Sequence, residues 1–117
     1  MSRASRQITE NAQEHLEPGE QVQGAFAGQT AIRFQVTDRY RTVVATDRRL
    51  LIFDSGTFSQ TSCTTLMAEL PRDTPVGPPS GLLWHRLDLI GEVLHVHRRY
   101  FSEVAAIDAA APSAPTA

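Results

Sequence analysis

His95 and His97 are the first residues in this chain whose types and spacing suit chemistry. On a strand, the i, i+2 spacing puts both imidazoles on one face, and metal sites use this pairing because the rings converge. The strand register derived below sets Arg86 opposite His95 and Trp84 opposite His97. No Cys or Glu completes a ligand set, and of the Asp residues only Asp88 shares the face. A neighbouring guanidinium disfavours a bound cation, so neither a metal nor a cofactor is expected. Cys63 lies in the polar run Ser62-Cys63-Thr64-Thr65. A nucleophilic thiol needs a base and an orienting partner, and nothing in the spacing ties His15 or His85 to it. Asp47, Asp54, Asp73 and Asp88 form no spaced carboxylate pair. Without a single Lys, the lysine-bearing phosphate loop is impossible. No catalytic residue is assigned, and the chain is expected not to be an enzyme.

Two arginine pairs remain. Arg48-Arg49 falls at a turn tip. Arg98-Arg99 follows His97 and stands just before a C-terminal helix, where free N–H groups favour anions. Arg48, Arg49, Arg98 and Arg99 are therefore candidate anion-binding residues; otherwise they face water or pair with Glu103 and Asp108. The net charge is −2, which gives no basic surplus for nucleic acid. Association with an anionic membrane through the Arg clusters is an alternative, expected to be weak and salt-sensitive, because each basic residue near such a surface contributes only about 1 kcal/mol. One cysteine excludes an internal disulfide and fits a reducing compartment, so a cytoplasmic location is expected. The first residues lack the apolar core of a signal peptide, and no apolar run reaches the ~20 residues that span a bilayer.

The elements that must position these residues are legible from periodicity. Ile8, Ala12, His15 and Leu16 fall on one stripe, which predicts a helix over residues 5–16 capped by Ser5 and ended by Pro18-Gly19. Glu20 to Gly28 reads as a strand. Ala31 to Thr37 alternates Ile32, Phe34 and Val36 with polar residues, a half-buried strand signature. Arg41 to Gly56 is a hairpin. Pairing Thr46 with Arg49 sets Ala45 against Leu50, Val44 against Leu51, Val43 against Ile52, Thr42 against Phe53 and Arg41 against Asp54. Both faces are then apolar, so the hairpin is expected to be central and covered on both sides. A weak strand is expected at Thr65 to Leu70. Pro71 to Gly81 contains four Pro and two Gly and is expected to be irregular.

A second hairpin turns at Ile90-Gly91. Pairing Leu89 with Glu92 puts Leu83, His85, Leu87, Leu89, Leu94 and Val96 on a core face. Trp84, Arg86, Asp88, Val93, His95 and His97 take the other face. A helix over 102–108 follows, with Ser102 as its cap. The expected organisation is an N-terminal helix (1–17), a domain (18–108) and a disordered Ala/Pro tail (109–117).

This order resembles the bacterial pleckstrin-homology-like (PH-like) domains, in particular short actinobacterial-type members. The resemblance rests on Leu16-Glu17-Pro18-Gly19-Glu20, Val43 to Asp54, Leu70 to Gly77 and Gly91 to Phe101, and spans most of residues 16–108. It implies an α+β fold: a bent, partly open antiparallel barrel with an N-terminal helix and one end plugged by a short C-terminal helix. Phosphoinositide-binding eukaryotic members concentrate Lys and Arg in their first hairpin, whereas Gly28 to Tyr40 here offers only Arg33 and Arg39. The expected function is a non-catalytic binding or scaffolding module for a protein partner or a second copy of itself. Anionic lipid is the alternative, and a small molecule or anion near the C-terminal helix is the third reading. An incompletely closed sheet leaves an edge, and Ile32, Phe34 and Val36 mark the expected partner-binding strand.

Overall fold

The computed structural model describes residues 1–30, 39–56 and 59–112. Helix α1 (Arg3–Ala12) and a 3-10 turn (Gln13–His15) lead into β1 (Val22–Thr30), β2 (Tyr40–Thr46), β3 (Arg49–Gly56) and β4 (Thr65–Pro71). Then come β5 (Trp84–Leu89), β6 (Glu92–His97), a 3-10 turn (Arg98–Tyr100) and α2 (Phe101–Ala110). The strands form one antiparallel sheet in the order β4-β3-β2-β1-β6-β5, curled into a half-barrel. The fold is therefore α+β, with a PH-like bent antiparallel barrel and a capping C-terminal helix.

Both hairpin registers are those the side-chain pattern demands. Thr42 faces Phe53 and Arg41 faces Asp54 across β2 and β3, while Trp84 faces His97 and Leu89 faces Glu92 across β5 and β6. Val43, Val44, Leu51, Ile52 and Phe53 are wholly buried, as expected of a hairpin covered on both sides. Helix α1 covers the face bearing Thr42 and Phe53. There the Cys63 thiol donates to the Ile8 carbonyl, and the His15 and Phe53 rings stand 4.8 Å apart. Helix α2 fills the opposite, concave face. It comes so close to β1 that a Cβ on Gly24 would sit 2.6 Å from Ile107 Cγ1.

Several boundaries differ from expectation: β1 runs Val22–Thr30 rather than Glu20 to Gly28, and α1 is Arg3–Ala12 with a 3-10 turn rather than one helix over residues 5–16. Ser2, not Ser5, caps α1: its Oγ accepts from the Ser5 N–H at 3.1 Å, which places Ser5 inside the first turn. Ser102 caps nothing, because the chain is already turning at Arg98, and the His97 imidazole accepts from the Arg99 N–H. Helix α2 runs on to Ala110, so residues 109 and 110 belong to it rather than to a tail. Leu83, placed on the core face by alternation, is 46% exposed. β5 starts only at Trp84, although the Leu83 carbonyl still accepts the Arg98 N–H in the same register.

The second hairpin is tied to the rest by little backbone. Among the described residues β6 pairs with β1 only at Gln29 and Thr30. Below that point α2 intervenes, and the Glu103 carboxylate accepts the Ala25 N–H. Arg41 supplies the missing attachment. Its Nη1 donates to Asp54 at 2.8 Å, while Nε and Nη2 grip both oxygens of Glu92 at 3.0 and 3.1 Å. The turn joining β5 and β6 puts Ile90 at φ +48° and Gly91 at φ +77°, both left-handed. This geometry suits a two-residue hairpin but is costly for a β-branched residue.

At the other end of the sheet, Arg49 donates to both oxygens of Glu20 at 2.8 Å, and the Thr46 hydroxyl donates to the same carboxylate at 2.6 Å. The Arg49 hydrogen bonds, working against burial, hold the Glu20 carboxyl down at about 2. Between β5 and the loop before it, His85 donates from Nε2 to the Val76 carbonyl and accepts at Nδ1 from the Ser80 N–H. Asp108 of α2 takes the Val76 and Gly77 N–H groups. The proline-rich stretch is thus irregular yet anchored at both sides.

Arg41→Ala leaves Asp54 and Glu92 without their shared partner and is expected to cost roughly 2–4 kcal/mol. Hydrogen exchange checks its location: amides of β5 and β6 should lose more protection than those of β2 and β3. The Glu20 carboxyl is depressed in the folded state, so its contribution is fully present above about 4.5 and is lost as pH falls toward 2. Urea unfolding of Glu20→Gln should show a deficit at pH 7 that shrinks steadily below pH ~4.

Candidate functional site

Helix α1 covers only part of the outer face of the sheet. The same face continues past it through the cross-strand partners Gln29, Tyr40, His95, His97 and Trp84. A cleft of about 140 Å³ opens there, floored by β1 at Ala27 to Gln29 and walled by Tyr40, Gln60, Trp84, His95, His97, Arg99 and Tyr100. Among the described residues no Asp or Glu lines it.

The wall is built from the 3-10 turn outward. His97 Nδ1 accepts from the Arg99 N–H at 3.1 Å, which leaves the neutral ring's proton on Nε2 as a donor. The Trp84 ring meets the His97 ring edge-on, with centroids 5.2 Å apart. The Arg99 guanidinium lies 5.1 Å from the centre of the Tyr100 ring and donates to Gln60 Oε1. Among the described residues no carboxylate pairs with Arg99. Tyr100 is 1% exposed, burial pushes its phenol up, and its hydroxyl has no hydrogen-bond partner among the described residues.

The two arginine pairs are not brought together. Arg48 and Arg49 lie beside the start of β1, Arg99 beside residues 27–29. Arg48 donates to Glu17 at 2.9 Å and to the Pro18 carbonyl. Arg49 is held by Glu20, with Glu69 at 3.4 Å. Both arginines of the expected anion site at the turn tip are thus paired with carboxylates of the same chain. Arg98 is exposed, and its backbone N–H donates to the Leu83 carbonyl. Glu103 and Asp108 turn to backbone N–H groups rather than to any arginine.

The expected edge residues Ile32, Phe34 and Val36 lie outside the described residues. Among the described strands the edges are β4 and β5. His95 and His97 both line the cleft, as their shared face required, and no group of three or more His, Cys, Asp or Glu among the described residues could hold a metal ion. Cys63 is buried, its thiol pushed up by burial, and His15 contacts its carbonyl rather than its sulfur. Gln60, Tyr40 and Tyr100 were not legible as site residues. Only Tyr100 carried a signal, an aromatic directly after two arginines. No protein-family model, curated protein or solved structure matches the chain. Among the described residues no helix is long and apolar enough to cross a membrane.

A thiol that is both buried and held protonated reacts slowly. Labelling of native Cys63 with a disulfide reagent should therefore be at least ~100-fold slower than in urea.

Proposed function

We propose that this chain is a non-catalytic, cytoplasmic binding module of the bacterial PH-like type that takes up an extended segment of a protein partner along β5. The observation that carries this reading is the state of that edge. β5 pairs with β6 alone among the described residues, and Leu82, Leu83 and Trp84 at its start are 93, 46 and 41% exposed. The hairpin register directs the N–H groups of Trp84, Arg86 and Asp88 away from β6, so an added strand would find donors as well as apolar contacts. The other edge, β4, exposes Leu66 and Met67, but none of its residues lines this cleft.

Arg86→Pro removes one outward donor without breaking a ladder bond, so the fold is retained. Proteins that the wild-type chain captures from its host should be lost with Arg86→Pro and with Trp84→Ala, while far-UV circular dichroism stays unchanged. Capture unaffected by both variants sinks the edge-strand reading. Sedimentation with anionic vesicles at physiological salt, abolished by Arg98→Glu/Arg99→Glu, would make a membrane surface the partner instead.

A further inference from the structure

We infer that the cleft beside β5 is a recognition site for a carboxylate group, an assignment that stands independently of strand addition at β5. Its lining supplies donors and ring faces. Arg99 brings a guanidinium with no carboxylate partner among the described residues, preset by Gln60 and by the Tyr100 ring. His97 offers Nε2–H, because its other nitrogen is already engaged by the Arg99 N–H. Trp84 contributes an indole N–H and a flat apolar face. Among the described residues nothing acidic lines the cleft to compete for these donors.

Two features separate this place from an ordinary surface hollow. Elsewhere in the fold Arg39 and Arg41 are matched by Asp54, Arg41 also by Glu92, Arg48 by Glu17 and Arg49 by Glu20, while Arg72, also without a carboxylate among the described residues, is buried and spent on Gln23 and two backbone carbonyls. Arg99 alone combines a held guanidinium with a place in this cleft wall. Behind it, the buried Tyr100 hydroxyl lacks a partner among the described residues, although buried polar groups are nearly always satisfied. A planar anion with an apolar body matches this set. Its oxygens accept from Arg99 and His97, and its body lies against Trp84.

Trp84 is the only tryptophan, so a single indole N–H resonance reports on the cleft. The labelled full-length chain is titrated with benzoate, with benzamide as the uncharged isostere and with inorganic phosphate. Benzoate is expected to shift the Trp84 indole resonance saturably, benzamide to bind about tenfold more weakly or worse, and Arg99→Gln to erase the difference. Three short peptides then separate the sources of the carboxylate. Acetyl-Thr-Val-Glu-Val-Thr-amide carries it on a side chain, its Gln analogue lacks it, and the Gln analogue with a free C-terminus carries it at the end. Preference for the first assigns an acidic side chain, preference for the last a terminal carboxylate, and binding of benzoate alone a free small acid. Equal responses to benzoate and benzamide, phosphate binding as tightly as benzoate, an unaltered benzoate response in Arg99→Gln, or no response at all overturns the assignment. Peptide binding lost in Arg86→Pro with benzoate binding intact separates the β5 edge from the cleft.

Discussion

The assembly of this domain depends on Arg41. The sheet is continuous by hydrogen bonding, yet among the described residues its two halves share only the short ladder at Gln29 and Thr30. A guanidinium has the reach and the fork geometry to hold two carboxylates at once, one from each half. Asp54 belongs to the central hairpin and Glu92 to the second, so Arg41 sets their spacing across the concave side of β1. Its burial makes the arrangement demanding: both carboxylates must be present for the charge to be tolerated there. The curl of the half-barrel, and therefore the position of β5 and β6, follows from that contact together with the α2 residues wedged beneath.

The cleft is a by-product of the same division of labour. Helix α2 is committed to the concave face, and α1 is too short to cover the whole convex one. What α1 leaves bare is the outer face of the second hairpin, which carries Trp84, His95 and His97 on one side of the pleat. The 3-10 turn then lifts Arg99 and Tyr100 over that face, and the loop after β3 brings Gln60 to meet them. A groove with three donors and aromatic walls results, next to the edge strand β5.

Much of the fold was legible because alternation and turn chemistry agree in both hairpins. A slip of one residue would have exposed Val43 or buried Asp88, so the registers admitted little choice. Helix ends were read less well. Ser5 and Ser102 look like caps, but Ser2 lies one turn earlier and the chain already bends at Arg98. Local sequence gives these alternatives nearly equal merit, and packing decides between them. The cleft was half legible. The shared face of Trp84, His95 and His97 follows from strand period alone, whereas Gln60 and Tyr40 arrive through the curl of the sheet, which no local pattern encodes. Charge was the least legible part: Arg48-Arg49 reads as a free basic tip until Glu17 and Glu20 are seen folded back against it.

Ile90 has a consequence for how the domain comes together. A branched side chain in a left-handed turn works against the bend it occupies, so the turn between β5 and β6 gives its hairpin little help in forming by itself. The central hairpin has no such handicap: Thr46 ties both Arg48 and Arg49 N–H groups across its bend, and its arms are apolar on both faces. That asymmetry favours β2 and β3 pairing before the second hairpin closes. The half of the molecule that carries the cleft then gains its rigidity late in folding and loosens early when the domain is stressed.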